Sequence, residues 1–249
     1  MIPPDKARET LHEVISVAEK TGVSLQISHL AANVYGEGNI AMAAEMIEGS
    51  SADIACDMYP YNVWATDISS AVFDDGFSKF NFDEKDIEIL TGEHAGKYCT
   101  PGLFAELRAK GDRALCACHN AMPEEDIKAA FRLPYCMLGS DSQLSLSSDG
   151  VYTGHPRSSS AVIRFLCDYV RDGGLPLTDG IAKLTYLPAK KLGFVKKGRI
   201  QVGADADMVL FRLDELRVNA DFGPGVCALP PSGIVRVFHR GRTLYPAQL

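Results

Sequence analysis

The sequence has no hydrophobic run that approaches the roughly 18 consecutive apolar residues of a membrane-spanning helix. Its first residues, Met-Ile-Pro-Pro-Asp, contain neither a basic segment nor the apolar stretch of a secretory signal. We therefore expect a cytoplasmic protein without a membrane partner.

The sequence also lacks an excess of positive charge. It has 25 Lys and Arg against 32 Asp and Glu, which gives a formal net charge of −7 at neutral pH. The basic residues are scattered rather than gathered in a stripe, which argues against binding to nucleic acid or to an anionic membrane. With 46% hydrophobic residues among 249, the chain can bury a core, and we expect its partner to be a small molecule.

Cysteine is present, but in no disulfide pattern. The seven cysteines are odd in number and several lie within apolar segments, which favours reduced core residues. Cys116-Ala-Cys118-His119 could suggest a metal knuckle. However, alternate residues of a strand share one face, and no second cysteine pair completes such a site. Core packing is the favoured interpretation of these cysteines.

Helical and strand patterns alternate over much of the chain. Apolar residues at helical spacing predict helices, and short apolar runs between turn residues predict buried strands. The predicted helices cover 5–21, 39–48, 101–110, 123–132, 161–171 and 177–185, and the predicted strands cover 23–27, 53–57, 114–118 and 135–139. Helices and strands that alternate at this spacing are typical of parallel βα units.

Two parts of the chain depart from the alternation. Residues 62–113 mix aromatic, acidic and glycine residues without a βα period, which predicts an insertion rather than a separate domain. After residue 193, short alternating segments separated by glycine and aspartate predict a small antiparallel sheet. These segments are 198–203, 207–211 and 234–239. The expected organisation is an α/β domain over 1–193, with terminal strands over 194–249.

Two strand ends carry side chains suited to catalysis. Strand 23–27 leads to His29, and strand 135–139 leads to Asp141. In a barrel of parallel strands, both side chains would project from one rim toward one cavity, where they could hold a metal and the water it activates. Asp141 is therefore a candidate catalytic residue and His29 a candidate metal ligand. The alternatives are a turn capped by Asp141 and a histidine satisfied by loop backbone.

Two further segments could contact a substrate. Tyr61 ends a rigid Tyr-Pro-Tyr bend, where core packing is an equal alternative. Arg157, in His155-Pro-Arg157, could clamp a carboxylate with its planar guanidinium, although a salt bridge that fixes the loop is an equal alternative.

Six short motifs, taken together and in order, resemble those of the amidohydrolase superfamily. More narrowly, they resemble the N-acyl-D-amino-acid deacylase (D-aminoacylase) family. The motifs are Gln26-Ile-Ser-His-Leu30, Asp57-Met-Tyr-Pro-Tyr61, Met137-Leu-Gly-Ser-Asp141, Gly154-His-Pro-Arg157, Thr185-Tyr-Leu-Pro-Ala-Lys-Lys-Leu-Gly193 and Lys197-Gly-Arg-Ile-Gln-Val-Gly-Ala-Asp-Ala-Asp207. Each motif alone is a modest indication of the family, whereas the six motifs together are specific for it.

The resemblance implies a distorted (β/α)8 barrel with a small β-sandwich, and zinc-dependent hydrolysis of the amide bond of N-acyl-D-amino acids. By motif, His29 matches a metal-ligand histidine after the sixth strand. Asp141 matches the aspartate after the eighth strand, which passes a proton from metal-bound water to the leaving amine. Tyr61 matches a substrate-contacting tyrosine, and His155 and Arg157 match the family's His-Pro-Arg.

The sequence departs from the family pattern at the metal site. The family's His-x-His is absent, because the six histidines, at 12, 29, 94, 119, 155 and 239, are never two residues apart. The chain also has no counterpart of the family's metal ligands on the middle strands and the fifth strand. It lacks the family's lysine that follows the histidine of strand six. Glycines of the family are replaced by Ser142 and Ser160. We therefore expect a partial TIM-type barrel of about strands six to eight, with a C-terminal segment of the β-sandwich.

The resemblance further implies that residues 62–113 form a lid over the acyl group. The Zn²⁺ site is expected to be incomplete in this chain, so hydrolysis is expected only as part of a complete barrel.

The partner could be a missing N-terminal half, in a split enzyme or a longer reading frame, or a homo-oligomer. The alternatives are a cyclic amide hydrolase like dihydroorotase or hydantoinase, and an inactive scaffold or partner subunit. The Tyr-Pro-Tyr and His-Pro-Arg motifs favour the deacylase.

Overall fold

The computed structural model describes residues 6–34, 36, 38–78 and 80–246. Its helices are α1 (Ala7–Thr21), α2 (Leu30–Asn33), α3 (Asn39–Glu48), α4 (Pro101–Ala109), α5 (Glu124–Arg132), α6 (Arg157–Arg164), α7 (Leu177–Leu184) and α8 (Tyr186–Lys191). Its strands are β1 (Leu25–Ile27), β2 (Ile54–Met58), β3 (Trp64–Asp67), β4 (Ile87–Ile89), β5 (Leu115–Cys118), β6 (Cys136–Leu138), β7 (Leu144–Leu146), β8 (Tyr152–Gly154), β9 (Met208–Phe211), β10 (Ile234–His239) and β11 (Arg242–Tyr245). A π-helix, Phe165–Arg171, continues α6. No helix in these described ranges is both long and apolar enough to cross a membrane.

A parallel sheet of three strands, in the order β1-β2-β6, forms the centre of the α/β part. Cys56 of β2 pairs in register with Ile27 on one side and with Cys136 on the other. Helix α1 turns its buried apolar residues inward, and the residue that caps its C-terminus, Gly22, has a positive φ that suits glycine. The predicted parallel βα architecture is therefore present. The assignment of these strands to positions six to eight of a barrel stays a prediction.

The insertion has its own antiparallel sheet, in the order β3-β5-β4. The strand expected at 114–118 exists as β5, but the prediction that parallel βα units resume there is wrong. A short apolar run has the same pattern in either kind of sheet when both of its faces are buried, and all four residues of β5 are buried. The seven cysteines are buried and free, as expected for core residues.

A second antiparallel sheet, in the order β11-β10-β9, forms the C-terminal part, as the alternation near 207–211 and 234–239 predicts. The strand predicted at 198–203 is wrong, because this segment consists of turns and bends. Its two apolar side chains, Ile200 and Val202, are 92% and 103% exposed. Alternation alone predicts a strand, but a strand needs a partner for its backbone hydrogen bonds.

Arg108 fastens α4 to the loop that leads from β3 toward the carboxyl end of the parallel sheet. Its Nη1 donates to the carbonyl oxygens of Ile68 and Ser70 at 3.0 and 2.9 Å, and its Nη2 lies 2.6 Å from Asp74 Oδ1. The guanidinium also lies 5.7 Å from the centre of the Phe73 ring. This one side chain therefore joins α4 to two backbone carbonyls and one carboxylate of the loop.

We expect Arg108→Met to lower the free energy of unfolding by about 2 kcal/mol, because two partly buried carbonyls lose their donor. Urea unfolding followed by the fluorescence of Trp64, the chain's single tryptophan, measures this change. Lys110→Met is the matched control, since Lys110 forms an exposed pair with Glu106 on the same helix. Equal effects of the two substitutions would contradict the role of Arg108.

Candidate active site

A cavity of about 190 Å³ opens at the carboxyl ends of the parallel strands. His29 follows β1, Tyr59 follows β2 and Asp141 follows β6, and all three side chains line this cavity. Residues of the insertion, among them Trp64 and Ser70, form the opposite wall. The structure thus brings His29 and Asp141 together at one rim, where enzymes with parallel strands place their chemistry.

His29 is held in an unusual backbone conformation. Its φ and ψ are 37° and 59°, in the left-handed region that non-glycine residues rarely occupy. Its backbone N–H donates to Asp57 Oδ1 at 2.9 Å. Within the part of the chain that is described, its ring nitrogen Nδ1 is buried without a hydrogen-bond partner. A buried nitrogen of this kind is suited to a ligand that these residues do not supply.

Asp141 is held in place by two contacts with Arg157. Arg157 Nη2 lies 2.7 Å from Asp141 Oδ2, and Arg157 Nε donates to the Asp141 carbonyl oxygen at 2.8 Å. The arginine side chain is fully buried, whereas that of Asp141 is 42% exposed. The guanidinium also stacks on Tyr59, 4.5 Å from its ring centre. The carboxylate therefore has one anchored oxygen and remains open to the cavity.

Tyr61 and His155 lie in a buried network beside this ion pair. The Tyr61 hydroxyl lies 2.7 Å from Ser160 Oγ, and its ring meets that of His155 edge-on at 5.0 Å. Ser160 Oγ donates to the Pro156 carbonyl oxygen, so Tyr61 is the donor to Ser160. His155 Nδ1 accepts from the Arg157 backbone N–H at 3.1 Å, and Nε2 lies 3.2 Å from the Val63 carbonyl oxygen. Substrate contact by these two residues stays a prediction.

Burial controls protonation in this network. Burial, with the positive charge of Arg157 as a second cause, lowers the pKa of His155 well below its usual range. His155 is therefore neutral, with Nδ1 as acceptor and Nε2–H as donor to Val63. Burial also raises the pKa of Tyr59 above its usual value, so this phenol keeps its proton at the cavity wall.

A second, polar cavity of about 460 Å³ adjoins the first along β3. The two share Ala65, Thr66 and Ser70 as lining residues. The second is also lined by Ser69, Arg113 and Gln143, among others. Together they give a continuous cleft between the parallel sheet and the insertion.

The sequence motifs include Asp57 and Gln26 but predicted no role for either side chain. Asp57 accepts from both the His29 backbone and Gln26 Nε2. A polar residue inside the predicted strand 53–57 was the available signal, since a buried carboxylate needs partners. The insertion 62–113 was expected to lie over the site as a lid, and its residues Trp64 and Ser70 line the cavity. Its contact with an acyl group stays a prediction.

The described residues do not by themselves make a zinc site. The free Nδ1 of His29 fits a metal bond, and the Asp141 carboxylate faces the same cavity. A catalytic zinc takes about three protein ligands and an open position. Among the described residues, no group of three His, Cys, Asp or Glu side chains could hold a metal ion.

Comparison with known proteins gives consistent matches over most of the chain. The family model described as "Amidohydrolase family" matches residues 3–243. The N-acyl-D-glutamate deacylase of Alcaligenes xylosoxydans xylosoxydans is 29% identical over 258 residues, which cover 97% of this chain and 49% of that protein. The D-aminoacylase of the same organism is 28% identical over 225 residues, with 81% and 42% covered. The chain thus spans about half the length of the curated relatives it matches.

Solved structures agree with this similarity. One match is the crystal structure of N-acyl-D-glutamate deacylase from Bordetella bronchiseptica, complexed with zinc and a phosphonate inhibitor. Its sequence is 26% identical to this chain, and the TM-score is 0.75. The match covers 97% of this chain and 51% of that chain. A crystal structure of D-aminoacylase is 21% identical with a TM-score of 0.77, covers 96% and 50% respectively, and supports the fold alone. This chain therefore has the α/β fold of these amidohydrolase structures.

The neutral His155 predicts a loss of stability in acid. In the unfolded chain a histidine takes up a proton near about pH 6.5, whereas folded His155 stays neutral to lower pH. Its contribution to the free energy of unfolding is therefore fully present above about pH 6.5 and falls as the pH drops, by up to about 1.4 kcal/mol per pH unit.

Urea unfolding at about pH 7.5 and about pH 5.5 tests this contribution. We expect wild type to lose about 1 kcal/mol more between the two values than His155→Gln does. His12→Gln, on the exposed face of α1, should lose as much as wild type. Equal losses in wild type and His155→Gln would show that His155 is not the titrating group.

Proposed function

Because the chain belongs to the amidohydrolase family, we propose that it forms part of an enzyme that hydrolyses the amide bond of N-acyl-D-amino acids. The observation that carries this proposal is the shared cavity of His29 and Asp141 at the carboxyl ends of β1 and β6. The relatives named N-acyl-D-glutamate deacylase and D-aminoacylase support the substrate class.

Asp141 is the general base and acid of the proposed reaction. It takes a proton from the attacking water and delivers it to the leaving amine nitrogen, so the amide C–N bond breaks without forming a free amide anion. Its contact with buried Arg157 supports this role, because the carboxylate is oriented while its other oxygen stays available. Proton transfer requires such fixed geometry.

His29 contributes an imidazole to a zinc site in this proposal. The remaining ligands would come from polypeptide outside this chain, since its described residues offer too few. The zinc-complexed structure of the Bordetella relative supports zinc as the metal.

The cleft provides room for both ends of the substrate. The first cavity would hold the amide at Asp141, and the polar second cavity would receive the amino-acid side chain or the acyl group. Tyr61, His155 and Arg157 are proposed substrate-binding residues of the complete site only, because in this chain all three are buried and line neither of the two cavities. In this chain they also support Asp141 from within the protein, through the hydrogen bonds around Arg157 and Ser160.

A partner polypeptide would also complete the fold. In the described part of the chain, β1 and β6 each pair with β2 alone, and both are edges of an apolar parallel sheet. Val209 and Leu210 of edge strand β9, which point to opposite faces, are both exposed. Open apolar edges of this kind pair readily with further strands. We propose that the occupant is the portion of an amidohydrolase that the relatives have beyond the region this chain matches.

The catalytic proposal is tested by assembling the chain with the unmatched portion of the Alcaligenes N-acyl-D-glutamate deacylase and adding zinc. We expect hydrolysis of N-acetyl-D-glutamate and none of its L-enantiomer, with zinc bound in the assembly. Asp141→Asn should lower kcat by about 100-fold or more, because proton transfer is lost. Asp149→Asn, an exposed aspartate hydrogen bonded to Ser147, should leave kcat unchanged.

Other outcomes separate the alternatives. Hydrolysis of dihydroorotate or a hydantoin in place of N-acetyl-D-glutamate would favour a cyclic amide hydrolase. A stable assembly that binds no zinc and hydrolyses neither substrate would favour an inactive scaffold. Either result would overturn the deacylase proposal.

The partner proposal predicts that the chain alone self-associates through its open apolar surface. We expect Val209→Lys/Leu210→Lys to raise the monomer fraction at equal concentration, because charge on both faces of β9 opposes strand pairing. Val17→Lys, at an exposed apolar position of α1, is the control and should change little. Light scattering after size-exclusion chromatography measures the fraction. A wild-type chain that is fully monomeric would contradict the prediction.

A further inference from the structure

Asp57 joins all three strands of the parallel sheet at the catalytic rim. It lies on the central strand β2, and both of its carboxylate oxygens are used toward β1. Oδ1 accepts from the His29 backbone N–H at 2.9 Å, and Oδ2 accepts from Gln26 Nε2 at 2.7 Å. Oδ1 also faces Gly139, which directly follows β6.

The contact with His29 opposes a conformational cost. A non-glycine residue with φ of 37° is disfavoured by contact of its Cβ with the backbone, so the surrounding structure must hold it there. The His29 carbonyl oxygen is already used within the chain turn, where it accepts from Ala32 and Asn33. The backbone N–H of His29 is therefore its link to the neighbouring strand, and Asp57 is the acceptor.

Gly139 leaves the space that Asp57 occupies. Gly139 is not among the glycines with positive φ, so its backbone does not require glycine. A Cβ at this position would lie 2.6 Å from Asp57 Oδ1 and 3.0 Å from Asp57 Cγ. The carboxylate would have to turn away, and Oδ1 would leave the His29 N–H.

We propose that Asp57 is a positioning residue that holds His29 in its left-handed conformation, and that Gly139 is small in order to admit the Asp57 carboxylate. Only the role of His29 as a metal ligand rests on the proposed function; the backbone contact does not. The backbone geometry determines where the imidazole points, so Asp57 acts on the site through His29 without touching substrate.

Gln26 gives the proposal a selective test. Its Oε1 is buried without a hydrogen-bond partner in the described ranges, while its Nε2 donates to Asp57. In Asp57→Asn, the amide oxygen can still accept from the His29 N–H. A rotated Gln26 amide can then accept, through Oε1, from the new NH₂ group. Asp57→Asn should therefore keep the hydrogen bond to the His29 backbone N–H that Asp57→Ala loses.

Hydrogen exchange at the His29 amide, resolved by mass spectrometry of the purified chain, measures the contact directly. We expect exchange about tenfold faster in Asp57→Ala and in Gly139→Ala, and near the wild-type rate in Asp57→Asn. The double variant Asp57→Ala/Gly139→Ala should exchange like Asp57→Ala alone, because the clashing carboxylate is gone. Gly102→Ala, where an added Cβ has no contact nearer than 3.9 Å, is the glycine control.

The amide of Ile15 in α1 reports on the whole fold in the same experiment. Faster exchange at His29 with Ile15 unchanged supports the proposal. Unchanged exchange at His29 in Asp57→Ala, or additive effects of the two substitutions, would overturn it. If Asp57→Ala does not fold, Gly139→Ala and Asp57→Asn decide between the same outcomes. If the zinc-loaded assembly does not hydrolyse amides, the proposed function is wrong. The exchange rates expected here would be unaffected by that result.

Discussion

The parallel pairing of β1, β2 and β6 is the constraint on which the rest of the structure depends. It places the residues that follow the outer two strands on one rim, so that His29 and Asp141 line one cavity although 112 positions separate them in sequence. Both residues have positive φ, and each is held by a polar contact: His29 by Asp57 and Asp141 by Arg157. Strained backbone that the surroundings hold in place is typical of functional sites.

The second feature is the way in which the insertion and the loop before α6 close around this rim. Arg108 ties the loop after β3 to α4, and Trp64 and Ser70 from this region form one wall of the cavity. On the other side, His155 accepts from the Arg157 backbone, so the arginine that anchors Asp141 is itself anchored. The cavity is therefore built from segments far apart in sequence, which makes its shape a property of the assembled fold.

Local patterns predicted six of the eight described α-helices and the strands β1, β2, β5, β6, β9 and β10, because apolar spacing and caps are local signals. They did not predict β3, β4, β7, β8 or β11. One strand prediction and one prediction of strand pairing were wrong for nonlocal reasons. The run at 114–118 joined an antiparallel sheet because its partners, β3 and β4, belong to the insertion. The alternating segment at 198–203 formed turns because alternation does not supply a strand partner. The candidate residues His29 and Asp141 could be placed from strand ends, whereas the partners of Asp57, His29 and Gln26, became visible only in three dimensions.

The central claim is that His29 and Asp141 serve one metal-dependent site that polypeptide outside this chain completes. Anomalous X-ray diffraction from crystals of the zinc-loaded assembly tests it most directly. The expected result is a zinc peak about 2 Å from a ring nitrogen of His29, in the cavity that Asp141 lines, with the other ligands from the added polypeptide. A zinc site built without His29, or one remote from Asp141, would contradict the claim.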